Sequence, residues 1–324
     1  MCTAIAYKAG DFYFGRNLDY EKTFGEEVTV MPRRFPLAFR HGGGLDRHYA
    51  LVGVAHVTDG YPLYYDAVNE KGLAMAGLNF TRSAVFHDAA AGKKNVAAFE
   101  LIAWVLSQCA DIAQATKLLE NANITPATFR ESLPVARLHW LLADKNGSLV
   151  LESMEDGLHI HPDPVGVLTN EPPFPVQMLH LNDYMQLSAA APTNRFSPAL
   201  SLQPYSRGMG ALGLPGDLSS ASRFVRAAFV KENSVSGHSA QAELAQAFHI
   251  LSSVSQQRGC CRLEQGVYEF TQYSACCNAS KGIYYYTTYE NSQITAIDMH
   301  REDLEGNILR RYPLRREQGI FLEK

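Results

Sequence analysis

The chain has 324 residues, 46% of them hydrophobic and 19% charged, an ordinary globular composition with ample apolar material for a core. Its formal charge of −4 comes from 33 acidic and 29 basic residues without a long run of either sign, which excludes the basic footprint that nucleic acid requires. No run of about 18 apolar residues suggests a membrane span, and the first residues lack the basic start and apolar block of a signal peptide, so a cytoplasmic protein is expected.

Strand-like runs dominate the first eighty or so residues by the period-2 pattern. Cys2 to Tyr7 and Phe12 to Leu18 flank Lys8-Ala9-Gly10-Asp11, which reads as a hairpin. Val28 to Met31 and His48 to Val54 are further apolar runs. A second hairpin joins Tyr64–Val68 to Leu73–Asn79, with Gly72 free to supply positive φ in the turn. Over 96–121 the apolar spacing turns helical, and Asp111 is placed to cap the second of two helices. Strands return at Leu138–Ala143, Ser148–Ser153, Leu158–His161 and Val165–Thr169. Residues 171–218 are rich in Pro, Gly and Asn, and so long an irregular stretch points to function or an interface. Ser219 or Ser220 caps a helix to about Asn233, another helix spans roughly 240–253, and a strand meander closes the chain.

No repeat and no linker cuts the chain, so one domain over 1–324 is expected. Helices and strands come in blocks rather than in strict alternation. That pattern predicts an α+β protein of four layers, two mainly antiparallel sheets with helices outside.

Cys2 is the residue with the sharpest chemistry. Once Met1 is removed, as a small residue at position 2 favours, Cys2 carries both a thiol nucleophile and a free α-amine that titrates near neutral pH. The alternative is a small apolar residue opening a strand. Arg16 and Asp19 end the second strand, which the hairpin sets beside Cys2. A cation there would favour a thiolate and a carboxylate would hold the amine. Strand period alone puts the two on opposite faces, so a bend near Leu18 is expected if both are to reach the thiol. A surface salt bridge is the plainer alternative. Asn79 and Asn170 each end a strand, where an amide can donate to an oxyanion or simply favour a turn. Arg223 lies in the first turn of its helix, against the helix dipole, which suggests a partner outside the helix.

The remaining cysteines are Cys109 and the adjacent pairs Cys260-Cys261 and Cys276-Cys277. Adjacent strand residues point to opposite faces and do not make a zinc pair, so core thiols are expected and no metal. His159 and His161 share a strand face without a third ligand and read as structural. No phosphate loop, Gly-x-Ser-x-Gly elbow or His-Glu-x-x-His motif occurs, and no cofactor is called for.

Taken together, Met1-Cys2-Thr3-Ala4-Ile5, the run Tyr13 to Tyr20, Asp66 to Leu73, Gly77 to Phe80, Gly166 to Asn170, Ser206 to Gly210 and Ser219 to Phe224 resemble the conjugated bile acid hydrolases of gut bacteria, members of the N-terminal-nucleophile superfamily. The likeness runs in order over essentially the whole chain. It implies an αββα sandwich and cleavage of the amide joining a bile acid to glycine or taurine. By the same resemblance Cys2 is the nucleophile, Arg16 and Asp19 position it, Asn79 and Asn170 serve the oxyanion, and Arg223 is a further active-site residue. Penicillin V acylases, the related alternative, typically carry tyrosine where this chain has Asn79; a non-catalytic bile-acid-binding relative is a more distant one. Leu18, Tyr20, Phe24, Tyr65, Phe129 and Leu133 match the family's pocket segments, for which plain core packing is the alternative. The stretch Pro204 to Asp217 resembles a loop that reaches into a neighbouring subunit of a tetramer. Within it Ser206 and Arg207 match the version associated with glycine conjugates.

Overall fold

The computed structural model describes residues 1–323. Two sheets carry the architecture. The seven-stranded sheet runs Val167–Leu168, β1 (Cys2–Lys8), β2 (Phe12–Tyr20), Tyr268–Asn278, Ile283–Thr288, Thr295–Asp298, with Cys261–Arg262 paired at its side. The nine-stranded sheet runs Gly157–Pro162, Gly147–Met154, Leu138–Asp144, Ala74–Asn79, Asp66–Asn69, Leu51–Thr58, β3 (Glu27–Met31), Arg310–Pro313, with Tyr61–Tyr64 beside Leu51–Thr58. Neighbours in both are antiparallel.

Side-chain alternation separates the layers. Along Leu138–Asp144, Leu141 and Ala143 point into the space between the sheets, while Trp140 and Leu142 lie under the helices α1 (Leu101–Leu106) and α2 (Ile112–Leu119). On the other side α4 (Ser220–Asn233) and α5 (Ala240–Ser252) pack on β1, β2 and Tyr268–Asn278. The α+β, four-layer expectation therefore holds, because each sheet has an apolar set on both faces.

Local signals were accurate where they had a mechanism. Asp111 accepts the Gln114 N–H at 2.8 Å, Ser219 caps α4, and Gly72 turns at φ 88°. Four expectations need correction. Residues 96 and 97, expected to open the helical stretch, instead end the strand Lys94–Ala97, paired in parallel with Ala122–Thr125, because backbone partners there outweigh the helical spacing. Residues 171–218 contain the helix α3 (Phe174–His180), which carries Pro175 in its first turn and is buried through Phe174 and Gln177. His48 precedes its strand, its ring bonded to the Phe35 and Tyr49 carbonyls. Cys276 and Cys277 are core thiols, but Cys260 is exposed and Cys261 half-buried, since they lie before and on a marginal edge strand.

Candidate active site

The site is built at the N-terminal end of β1. Antiparallel register pairs Cys2 with Leu18 and Ala4 with Arg16, so these four share one face of the sheet, while Thr3, Asn17 and Asp19 share the other. The two faces divide the chemistry around one residue.

On the inner face Arg16, 1% exposed, donates from Nη2 to Cys2 Sγ at 2.8 Å. Its Nη1 spans the gap between sheets to the Tyr65 and Gly77 carbonyls, at 2.8 and 3.0 Å. Burial opposes the guanidinium charge, but the Cys2 sulfur, Tyr273 and Asp66 outweigh it and hold its pKa above the usual arginine value. Asp66 is itself buried, which raises its pKa against the pull of Arg16, and it accepts hydrogen bonds from the Tyr273 and Tyr284 hydroxyls.

On the helix face Asp19 accepts from Thr271 Oγ1 at 2.6 Å and from Gln256 Nε2 at 3.3 Å, and lies 4.0 Å from Arg223 Nη1. Asp19 makes no hydrogen bond to the thiol. The expected bend that would bring it there is therefore not what the backbone does: β2 keeps its alternation, and the irregularity falls on the neighbouring strand between Thr271 and Tyr273. Burial raises the Asp19 pKa, with Arg223 and the Met1 amine opposing.

Arg223 is fully buried, and its unusual place in the first turn of α4 is explained by partners on β1. It donates to the Cys2 carbonyl at 2.5 Å, Thr3 Oγ1 at 2.6 Å, Asn170 Oδ1 at 2.8 Å and the Leu218 carbonyl at 3.0 Å. Burial lowers its pKa from the ordinary arginine value, and Asp19 and Cys2 act against that. Asn170 Oδ1 also accepts the Cys2 N–H at 2.8 Å, and Asn170 Nδ2 donates to the Asn79 carbonyl at 2.8 Å. Asn170 thus clamps the Cys2 backbone. Its own backbone N–H is held by Ser220 Oγ at 2.7 Å. The Asn79 side chain makes no hydrogen bond among the described residues and is half-buried beside this clamp.

Met1 closes the group. Its amine donates to the Asp19 carbonyl at 2.8 Å and pairs with Glu269 Oε2 at 2.7 Å. Thr3, Thr271, Gln256 and Glu269 were not singled out in the sequence. Only Thr3, two residues from the N-terminus in the same strand, offered a signal.

The pocket candidates scatter more widely. Leu18 faces Cys2 across the hairpin, the Tyr20 and Phe24 rings lie 5.7 Å apart, and Tyr65 meets Arg16 through its carbonyl. Phe129 packs on Tyr61 and Phe99, and Leu133 bridges to Arg130. Ser206 and Arg207 are exposed on the long loop. Clefts of ≈ 690 and ≈ 940 Å³ elsewhere on the surface contain none of these residues.

Residues 2–312 match the family model described as linear amide C–N hydrolases, choloylglycine hydrolase family. A bile salt hydrolase/transferase of Lactiplantibacillus plantarum is 51% identical over 99% of this chain and 99% of its own length. The chain belongs to the choloylglycine hydrolase family. A second bile salt hydrolase/transferase, from Clostridium perfringens, is 36% identical over 99% of both chains. The structure of a conjugated bile acid hydrolase from Clostridium perfringens superposes with a TM-score of 0.93, covering 100% of each chain at 35% identity. Penicillin V acylase from Agrobacterium tumefaciens shares the fold, with a TM-score of 0.76 at 20% identity over 96% of this chain and 90% of its own. As a member of that family the chain is a linear amide C–N hydrolase. No helix among the described residues is long and apolar enough to cross a membrane.

Proposed function

We propose that this chain hydrolyses the amide joining glycine or taurine to a bile acid, using Cys2 as an N-terminal nucleophile. The observation that carries the mechanism is the buried Arg16 guanidinium 2.8 Å from the Cys2 sulfur, a placement that favours a negative sulfur. With Met1 attached, the Cys2 nitrogen is an amide without a basic lone pair, so the active form begins at Cys2. Its amine, steadied by Asn170 Oδ1, takes the thiol proton. The thiolate attacks the amide carbonyl, and the side-chain amide of Asn79, which has no hydrogen-bond partner among the described residues, donates to the oxyanion. On collapse the protonated Cys2 amine passes that proton to the departing nitrogen, the C–N bond breaks, the amino acid leaves and a thioester remains. Water, deprotonated by the same amine, then releases the bile acid. An amine in place of water gives acyl transfer. Asp19 and Arg223 position the strand that carries Cys2 rather than touch the sulfur.

The bile salt assignment rests on the names of the relatives at 51% and 36% identity. Leu18, Tyr20, Phe24, Tyr65, Phe129 and Leu133 are proposed as apolar contacts for the steroid, with Ser206 and Arg207 favouring glycine conjugates. Tyr205 and Leu212 stand exposed in the stretch Pro204 to Asp217, which supports its role as an arm between subunits of a homotetramer. The proposed location is the cytoplasm, as one domain over the full chain. Incubation with glycocholate, taurocholate and penicillin V, with released amino acid and free acid measured, tests the assignment. Faster turnover of penicillin V would overturn it.

A further inference from the structure

The Met1 amine marks a position that the proposed reaction leaves vacant once the chain begins at Cys2. There an ammonium group is held between a carbonyl, that of Asp19, and a carboxylate, that of Glu269, at 2.8 and 2.7 Å. Covalent geometry puts that nitrogen about 3 to 4 Å from the Cys2 nitrogen, which becomes the catalytic amine. The Glu269 side chain is 9% exposed, and its second oxygen, Oε1, is buried with no hydrogen-bond partner among the described residues. A buried carboxylate left half-satisfied and then deprived of its cation needs a replacement. Its charged neighbours do not provide one. Asp19 is a second carboxylate, and Arg223 is committed to the Cys2 and Leu218 carbonyls, Thr3 and Asn170. The Cys2 amine must be neutral to act as a base.

We infer that Glu269 and the Asp19 carbonyl form the seat of a primary ammonium group next to the thioester, so that cationic amines are selected there as acceptors of the acyl group. The inference rests on the Cys2 thioester proposed above. In the transfer step the bound RNH3⁺ gives one proton to the Glu269 carboxylate. The neutral nitrogen attacks the thioester carbonyl, a C–N bond forms and the C–S bond breaks. A second proton passes from that nitrogen through the Cys2 amine to the departing thiolate, leaving an amide and the free thiol. Burial raises the Glu269 pKa, against the pull of the Met1 amine, which suits a carboxylate that takes a proton. By microscopic reversibility the amine expelled during hydrolysis leaves from the same seat.

The test uses enzyme confirmed by mass to begin at Cys2, with glycocholate as donor at pH 7. Two acceptors compete with water: ethanolamine, a cation at that pH, and hydroxylamine, which is neutral. Glu269→Gln should lower the ratio of ethanolamine transfer to hydrolysis about tenfold, in line with loss of a charge-assisted contact, and leave the hydroxylamine ratio within about twofold. In the wild type, trimethylammonium should suppress transfer to ethanolamine but not to hydroxylamine; this readout stands if the variant does not fold. Equal loss for both acceptors would show that Glu269 acts through the Cys2 amine and would overturn the inference, as would no loss for either. If glycocholate is not cleaved, the bile salt assignment fails instead, and the same ratios are read with p-nitrophenyl acetate as an acyl donor that needs no steroid site.

Discussion

Arg223→Met removes the guanidinium that lies 4.0 Å from the Asp19 carboxylate, with both side chains fully buried. At that distance, and with the effective dielectric that suits protein sites, the direct attraction is about 4 kcal/mol. Four hydrogen bonds also go, to the carbonyls of Cys2 and Leu218, to Thr3 Oγ1 and to Asn170 Oδ1. Methionine fills much of the volume, so the main cost is an uncompensated buried carboxylate, about 3 to 5 kcal/mol. Urea unfolding at pH 8 should show a loss of that size. Asp19→Asn in the same background should recover about 2 kcal/mol, a coupling that a double-mutant cycle reads directly. The pH dependence has a defined sign. Burial already raises the Asp19 pKa, and removing Arg223 raises it further. Between the unfolded and folded values the native state binds the extra proton, so stability falls as pH rises through that window. The cost of Arg223→Met should therefore be larger at pH 8 than at pH 5. Equal costs at the two pH values, together with additive behaviour in the cycle, would refute the pairing of Arg223 with Asp19.

Cys2→Ala should lower hydrolysis of glycocholate by at least about a thousandfold while calorimetry still detects binding; residual turnover near wild type would remove Cys2 as nucleophile. Protein that retains Met1, identified by intact mass, should be inactive by the same assay and regain activity after treatment with methionine aminopeptidase in a refolding step. Asn79→Ala should cost roughly a hundredfold in kcat with little change in KM, the loss of one oxyanion donor. Asp217 is held at about 2 by hydrogen bonds from the Ser219 and Ser222 hydroxyls and the Ser219 N–H. Its contribution to the start of α4 is present above the unfolded value and lost as pH falls through about 4 toward 2, so the Tm penalty of Asp217→Ala should shrink over that range. Gly53→Ala should prevent folding or cost more than about 4 kcal/mol by thermal melt, because a Cβ there would sit 2.0 Å from the Asp66 carbonyl oxygen.

Strand alternation, the caps Asp111 and Ser219, and the Gly72 turn were legible because each acts over a few neighbouring residues. So was the essential composition of the site: Cys2 beside Arg16 follows from the hairpin, and Arg223 stood out as a cation at the wrong end of a helix. The parallel pair of 94–97 with 122–125, the helix α3 and the partners of Asp19 were not legible, since they depend on chain segments far apart in sequence.

The sequence by itself determined that a thiol with a potential α-amine opens the first strand, that a cation shares its face, and that period 2 sends Asp19 to the other side. Only the tertiary structure decided what that other side is for. There α4 delivers Arg223 to the Cys2 carbonyl and Asp19, while the strand Tyr268–Asn278 delivers Thr271 and Glu269. The physical reason is that a hairpin fixes which face a side chain occupies, whereas the charges awaiting it come from elements packed in from more than 200 residues away.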